Sequence, residues 1–309
     1  MNRRTFLIVA ALSSLLLPPL RGLAPAALAA PATDPALALY ASLSDAQKKE
    51  ATLPFDSPER SKQLFPGGKR AGVQIRTLSD EQQKLATAML TGFTSDYGKQ
   101  KALAIADQKP DNPVDQPGFG RYYVCFFGEP GEGKTYAWRI AEHHLTLVHV
   151  EVEKGQPSNF GPILLGANPP TLWDTEEEKL IALYQAMSPA ERQQAGNGGK
   201  GISGEAFKGN GIKVGQLTPT AKAAAQAMLD QRLSFFSDEI RQRITKILDS
   251  QGGIDAMTIA YFGDADKKCR DGGRWDFKLS GPTFLCDYEG TRGHIHMSMK
   301  GTLMETDRR

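Results

Sequence analysis

The chain is poor in cysteine and histidine, and it carries almost no excess charge of either sign. Three cysteines, Cys125, Cys269 and Cys286, exclude a disulfide-rich scaffold and permit one disulfide. We expect Cys269 and Cys286 to form it, because both fall in the same C-terminal β unit. A formal net charge of +2 over 309 residues gives no basic excess of the kind that binds nucleic acid or anionic lipid. We therefore expect no nucleic-acid partner.

Long apolar segments are also missing after the first thirty residues, so no later stretch is predicted to span a bilayer. Residues 1–29 differ, because Arg3 and Arg4 precede an apolar run that ends in a small-x-small cleavage site at 27–29. The run is short and contains two prolines, which favours a signal peptide over a membrane anchor. Adjacent arginines followed by x-Phe-Leu favour the twin-arginine type, with a general secretory signal as the alternative. We expect a periplasmic or secreted protein that has no membrane contact after signal removal.

Cleavage after Ala29 removes three arginines and no acid, which changes the formal net charge from +2 to −1. Two stretches of the remaining chain then have the same order of elements. A short helix is predicted after Ser44, a longer helix from residue 78 and a strand pair from residue 122; the same order returns after Ser188. We predict an α+β fold of duplicated helix–helix–β-hairpin units, 37–165 and 180–300. They would pack about a pseudo-twofold axis into one compact unit with antiparallel sheets. Chance similarity of the two patterns is the alternative.

Residues 128–135 read Gly-Glu-Pro-Gly-Glu-Gly-Lys-Thr and match the pattern of a phosphate-binding loop. Such a loop works only where a helix begins at the Lys-Thr, because the helix N-terminus holds the phosphates. The next residues, 136–140, are aromatic and β-branched and predict a strand instead. The second unit has no Gly-Lys-Thr at the equivalent place. We interpret the motif as the turn of a β-hairpin and expect no nucleotide.

The five histidines fall in only two places, which is the most informative feature of the sequence. Three of them lie within residues 138–151, where alternating polarity predicts one β-strand. The other two, His294 and His296, are two residues apart and so share one face of a strand. If the two strands meet, three imidazoles converge, which is the usual number for an open transition-metal site. His149 is interpreted as an ordinary surface or core residue.

The predicted metal ligands are His144, His294 and His296, with His143 or Glu142 completing the site. Imidazole ligands suit zinc, copper or iron, and the sequence does not decide between these ions. Three protein ligands and a free position would make one such ion a Lewis acid or a water activator. The first hypothesis is therefore an exported single-metal enzyme, hydrolytic or oxidative, that acts on a small-molecule substrate.

Arg139 and Glu129 are the candidate catalytic or substrate-facing groups beside this metal. Each has a simpler alternative, because Arg139 would equally pair with a nearby acid and Glu129 would equally cap a turn. A second hypothesis is a non-catalytic metal-binding or copper-handling protein, in which Met297 and Met299 supply soft ligands. A third is a purely structural role, in which the histidines make buried hydrogen bonds. Whether the protein is an enzyme stays open at this point.

Several motifs recur in one order over most of the mature chain and resemble a known family. They are Phe-Asp-Ser-Pro-Glu-Arg at 55–60, Phe-Gly-Glu-Pro at 127–130, Trp-Arg at 138–139, His-His-Leu at 143–145, Gly-Ala-Asn-Pro at 166–169, Gly-Pro-Thr-Phe at 281–284 and His-Ile-His at 294–296. This set resembles the domain-of-unknown-function 3500 family. The resemblance implies that both histidine motifs belong to one recurring pattern, which favours a shared metal site, and it implies no activity.

The chain departs from that family at two places next to the histidines. Relatives usually carry Gly before His-His, where this chain has Glu142, and a Trp-Arg-Asp run after His-x-His, where this chain has residues 297–300. The resemblance implies that any role of Asp or Arg after His-x-His is missing in this chain.

Overall fold

The computed structural model describes residues 34–63, 67–109, 116–151, 159–198, 201, 209–291 and 293–304. The predicted signal peptide, residues 1–29, lies outside these ranges. None of the described helices combines the length and the apolar character that crossing a membrane requires.

The described ranges contain eight α-helices and twelve β-strands. The helices are α1 Pro35–Ser42, α2 Asp45–Ala51, α3 Asp80–Phe93, α4 Asp96–Ala106, α5 Asp174–Ala186, α6 Pro189–Ala195, α7 Pro219–Leu233 and α8 Asp238–Asp249. The strands are β1 Thr52–Leu53, β2 Val73–Gln74, β3 Tyr123–Phe127, β4 Tyr136–Glu142, β5 Leu145–Glu151, β6 Asn159–Ala167, β7 Gly196–Asn197, β8 Ile212–Lys213, β9 Thr258–Phe262, β10 Asp276–Ser280, β11 Phe284–Thr291 and β12 His294–Thr302. The fold is therefore mixed α+β.

Serine caps fix the starts of three helices. Ser44, Ser79 and Ser188 each accept a hydrogen bond from the backbone amide three residues on, and the side chain at that position accepts one from the serine amide. Such a capping box satisfies two backbone donors that a helix start otherwise leaves without partners. The helices that the sequence predicts after Ser44 and Ser188 are confirmed as α2 and α6. Helices α1 and α5 were not predicted.

All twelve strands belong to one sheet, whose main path runs β1-β3-β4-β5-β6-β12-β11-β10-β9-β7. Only the β1–β3 and β7–β9 pairs are parallel; every other pair is antiparallel. The order of helices and strands along residues 35–167 recurs along residues 174–302. The two stretches meet in the middle of the sheet, where β6 pairs with β12.

The two faces of the sheet differ in character. Ile295, Met297 and Met299 of β12 belong to the main hydrophobic core, which also contains the buried side chains of the helices; we call this the helix face. The alternate residues of β12, His294, His296 and Ser298, lie on the opposite face, which we call the site face. A second, smaller hydrophobic cluster on the site face includes Cys125, Phe127 and Val148. The site face therefore carries most of the polar groups of the central strands.

The prediction of a single strand over residues 138–151 is wrong, because this segment folds back on itself. Strand β4 ends at Glu142 and β5 begins at Leu145, and these two residues pair directly across the hairpin. His143 and His144 are the two turn residues, and His144 has a left-handed φ of 62°. The turn was not recognised because every residue of β4 is buried and no Gly, Asn or Pro marks the reversal.

The predicted disulfide is also wrong, since all three cysteines are free and buried. The Cys269 thiol donates to the Thr291 carbonyl and lies 3.5 Å from the His294 carbonyl oxygen. Cys286 lies on β11, opposite Met299 of β12. Cys269 and Cys286 thus lie in different surroundings and do not form a disulfide, although both belong to the C-terminal β unit.

Candidate metal centre

Three imidazoles converge at one end of the β6–β12 pair. The Nε2 atoms of His144 and His294 lie 2.6 Å apart, and those of His294 and His296 lie 3.0 Å apart. One ring nitrogen from each residue lies within 4.8 Å of the other two. We call His144, His294 and His296 the histidine group. The structure therefore brings together the three residues that were predicted as principal ligands, and they are placed to hold one metal ion.

Hydrogen bonding between the rings does not satisfy this arrangement. A ring nitrogen carries either one proton or one in-plane lone pair, so the Nε2 atom of His294 can serve only one of its two short contacts in this way. A transition-metal ion accepts lone pairs from all three nitrogens at once, at about 2.0–2.1 Å for zinc. His144 is buried, whereas His294 and His296 are partly exposed. The group is thus partly accessible, through His294 and His296.

Backbone register explains how residues 150 positions apart come to meet. The amide of Gly166 in β6 donates to the His144 carbonyl at 2.7 Å, and Gly166 is also the direct partner of His296 in β12. A Cβ atom on Gly166 would lie 2.8 Å from Cδ2 of His144 and 3.0 Å from Cδ2 of His296. The missing side chain therefore leaves the space in which the two rings approach. Gly166 and Ala167 end strand β6.

Burial of His144 holds the ring in its neutral form. Loss of hydration, followed by the neighbouring His143, His294 and His296, lowers the pKa of His144 to about 2. Neutral imidazole is the form that binds metal ions. At neutral pH the buried member of the group therefore offers a lone pair without having to lose a proton.

A carboxylate stands behind His296. The Oε2 atom of Glu289 in β11 lies 3.5 Å from Nδ1 of His296, while Nε2 of His296 faces His294. Strand pairing fixes this contact, because Glu289 and His296 are direct partners between β11 and β12. A carboxylate at Nδ1 favours the tautomer in which the Nε2 lone pair can bind a metal, as is common in metal sites.

His143 and Glu142, which were predicted to complete the metal site, lie outside the histidine group. The His143 ring packs on His144 with 3.7 Å between centroids, and its carbonyl accepts a hydrogen bond from Tyr122. The Glu142 carboxylate lies 3.2 Å from Nε of the buried Arg121 and accepts a hydrogen bond from the Gly68 amide. These contacts give both residues roles in holding the β4–β5 turn.

Arg139 lies on the site face but is held by another residue. Its Nη1 atom donates to the Glu59 carbonyl at 2.5 Å, and the Glu59 carboxylate is 3.9 Å away. Burial lowers the pKa of Arg139 from its usual value, although the charged form is favoured by Glu59. The described contacts of Arg139 do not include the histidine group. Arg139 is therefore held next to an acid, Glu59, which was the alternative interpretation of this residue.

Glu129 lies at the far end of β4 from the histidine turn. Its carboxylate is largely exposed and 4.0 Å from the Lys134 ammonium. Seven strand residues separate its loop from His143, a span of about 20 Å. The structure therefore does not bring Glu129 to the histidine group.

The loop that resembles a phosphate-binding motif joins two antiparallel strands. It connects β3 to β4, and Tyr136 begins the strand directly after Lys134-Thr135. A phosphate-binding motif needs a helix N-terminus at this position, and a strand stands there instead. The residues have the geometry of a hairpin loop.

The methionines that flank the histidines point away from them. Met297 and Met299 are buried in the core on the helix face, and the Arg232 guanidinium contacts the Met297 sulfur. In a strand, alternate residues face opposite sides, so neither thioether can join His294 and His296. The soft ligands that had suggested copper handling are therefore not part of this site.

Two residues that shape the site were given no part in it from the sequence, namely Gly166 and Glu289. A glycine inside an apolar strand pattern often marks the close approach of another group, so Gly166 gave a usable signal. Glu289 gave only a weak signal. It is an acid in a strand of alternating polarity, and its partner strand could not be known from the sequence. Both became interpretable once the register of β12 against β6 and β11 was fixed.

Comparison with known proteins identifies the family of the chain. A family model described as "Protein of unknown function (DUF3500)" matches residues 26–302 of the chain. The family resemblance that the motifs indicated is thereby confirmed. No curated protein matches the chain. No solved structure matches it either.

Proposed function

Since the chain belongs to the DUF3500 family, whose description assigns no function, we propose one from the site: a single-metal enzyme that activates water for hydrolysis. His144, His294 and His296 would hold one transition-metal ion. Zinc is the first expectation, because three imidazoles with a free fourth position are a common arrangement in catalytic zinc sites. Copper and iron remain the other candidates.

The observation that carries this proposal is the convergence of three ring nitrogens within 4.8 Å, with two of the three histidines partly exposed. When bound, such an ion acts as a Lewis acid towards an oxygen in its free position. The residues of the chain supply the rest. Buried His144 stays neutral, Glu289 orients His296, and the space over Gly166 lets the rings meet.

Two further features are part of the proposal. We propose that the two stretches with the same element order, 35–167 and 174–302, arose by duplication and are related by a pseudo-twofold axis between β6 and β12; the strand order supports this. We also propose that the protein is exported to the periplasm or secreted; the sequence of residues 1–29 supports this. Export of a folded protein would allow the metal to be loaded first.

Reconstitution tests the enzymatic proposal. Chelator-treated mature protein would be supplied with zinc, cobalt, copper or iron, and hydrolysis of activated carboxylic and phosphoric esters would be monitored. We expect one metal ion to bind per chain and to restore hydrolysis. The double variant His294→Ala, His296→Ala should lose both. His149→Gln is the matched control, because His149 lies against Trp138 and Glu151 rather than in the group.

The cobalt-loaded protein separates the enzyme from a metal-handling protein. An open position should admit azide, which would change the visible cobalt spectrum in a saturable way. Stoichiometric metal with a spectrum that does not respond to azide, and with no ester hydrolysis, would overturn the enzymatic proposal and leave metal handling. No binding of any of the four ions would overturn both.

A further inference from the structure

A polar cavity lies at the opposite end of the β6–β12 pair from the histidine group. It has a volume of about 310 Å³, which is enough for a small ligand. The six polar side chains that line it are Arg60, Ser61, Asn159, Thr283, Lys300 and Thr302. Thr302 comes six positions after His296 in β12, so the two places are about 20 Å apart. We call this space the basic cavity.

The charges around the basic cavity have one sign. Arg60 and Lys300 contribute two cations, and no carboxylate is among the described residues that line it. The Arg60 guanidinium lies 4.1 Å from the centroid of the Phe55 ring, and this contact limits its freedom. Asp56 favours the charged form of Arg60, although burial lowers the pKa of the guanidinium. The two charged side chains of the lining are therefore both cations.

Two buried polar atoms at the cavity have no hydrogen-bond partner among the described residues. They are Nε of Arg60 and Oδ1 of Asn159. An amide can rotate to exchange its oxygen and nitrogen, so Asn159 can offer a donor as well as an acceptor. A buried polar atom without a partner costs free energy, which a bound ligand or water would recover. Both atoms belong to residues that face the same space.

The place of the basic cavity in the fold matches that of the histidine group. The histidine group is built at the start of β12, the end of β6 and the β4–β5 turn. The basic cavity is built at the start of β6, the end of β12 and the β10–β11 turn, which contains Thr283. These are corresponding elements of the stretches 35–167 and 174–302. The same architecture thus presents imidazoles at one end and cationic and amide groups at the other.

We propose that the basic cavity is a second ligand site, which binds a small oxyanion such as phosphate, sulfate or a carboxylate. The guanidinium of Arg60 offers paired donors to two oxygens of the anion, and Lys300 adds a point charge. The remaining hydrogen bonds to the anion come from the other hydroxyl and amide donors of the lining. This site does not depend on a metal ion in the histidine group.

Calorimetric titration of the metal-free mature protein with inorganic phosphate, sulfate and acetate, at constant ionic strength, tests the proposal. We expect saturable binding of at least one anion, and the preferred anion distinguishes tetrahedral from planar ligands. Arg60→Gln and Lys300→Gln should each weaken it by about tenfold or more, because each removes a charged hydrogen-bonding partner. Lys300 is exposed, so its replacement should leave the fold intact, and circular dichroism checks this.

Two controls make the outcome decisive. Lys62→Gln removes the same charge from the same segment but is not part of the lining, so it should leave binding unchanged. The His294→Ala, His296→Ala variant should also bind the anion as the wild type does, which separates this site from the proposed metal centre. No saturable binding, or equal weakening by Lys62→Gln, would overturn the proposal. Loss of binding in the histidine variant would place the anion at the metal centre instead.

Discussion

At the scale of single residues, the histidine group depends on the side chain that Gly166 does not have. In Gly166→Ala, the new methyl group would meet the rings of His144 and His296 at 2.8–3.0 Å, closer than such atoms approach. We expect the rings to move apart and metal affinity to fall by about tenfold or more, in the range seen for residues that support metal ligands. Competition with a chromophoric chelator measures this affinity.

Gly92→Ala is the control for this prediction, because a methyl group at Gly92 meets no atom within 4 Å. Gly92 lies in helix α3, where alanine is favoured over glycine. Its metal affinity should equal that of the wild type. A Gly166→Ala protein that binds metal as tightly as Gly92→Ala would show that the rings do not need this space.

Glu289 should matter through His296 rather than through direct binding. Glu289→Gln removes the negative charge 3.5 Å from Nδ1 of His296. We expect metal affinity to fall by about 10–100-fold, as for other carboxylates behind a ligating imidazole. Glu151→Gln is the matched control, because the Glu151 carboxylate lies 3.3 Å from Nε2 of His149, which is not part of the histidine group. Equal effects of the two substitutions would contradict a specific role of Glu289.

The stability of the metal-free protein should depend on pH through His144. The pKa of His144 is about 2 in the folded protein and ordinarily 6.5, so between these values the unfolded chain binds one more proton. Acidification below pH 6.5 therefore favours unfolding, by at most about 1.4 kcal/mol per pH unit for one proton. Urea unfolding of chelator-treated protein at pH 7 and pH 5 measures the change.

His144→Asn is the control variant for this prediction, because asparagine tolerates the left-handed backbone conformation that His144 adopts. The variant lacks the titrating ring and should lose less stability between pH 7 and pH 5 than the wild type. Parallel losses in the two proteins would show that His144 is not the group responsible.

At the scale of elements, sequence reasoning succeeded where the local signal was strong. Ser44 and Ser188 are capping residues whose partners lie three positions away, so a short window contained the whole signal. The β4–β5 turn failed for the opposite reason. Its strands are buried, and its two turn residues are histidines, so neither polarity nor turn chemistry marked the reversal. The same turn nevertheless places the ring of His144 beside those of His294 and His296, as the predicted convergence of three imidazoles required.

The β10–β11 pair holds a buried ion pair, which predicts a large effect on stability. The Lys278 ammonium lies 3.5 Å from the Asp287 carboxylate, and both side chains are almost wholly buried. Asp287 also accepts hydrogen bonds from the backbone and hydroxyl of Ser298 in β12. Lys278→Met removes the cation from beside this buried carboxylate and should lower the free energy of unfolding by about 3–5 kcal/mol. Thermal or urea unfolding measures the loss.

An exposed lysine provides the contrast for this prediction. Lys84 pairs with Glu81 on the surface of α3, where solvent screens the interaction. Lys84→Met should leave the unfolding midpoint close to that of the wild type. A Lys278→Met protein that is as stable as Lys84→Met would contradict the assignment of Lys278 and Asp287 as a necessary buried pair.

At the scale of the whole molecule, the α+β class and the largely antiparallel sheet were predictable, whereas the meeting of β6 with β12 was not. The order of elements can be read from local patterns along the chain, but pairing between strands such as β6 and β12, where Gly166 lies 130 positions before its partner His296, leaves no local pattern. His144, in the β4–β5 turn, and His296, in β12, meet over Gly166 of β6. The three histidines of the group could therefore be picked out from the sequence, but the strand that lies between His144 and His296 could not.

The metal content of the mature protein, purified without a histidine tag, tests the central claim most directly. Elemental analysis should find one transition-metal ion per chain in the wild type and in His149→Gln, and should find it lost in the His294→Ala, His296→Ala variant. The element found would then select the chemistry to be assayed. Wild-type protein without stoichiometric metal, both as purified and after incubation with divalent ions, would contradict the claim that these three histidines form a metal centre.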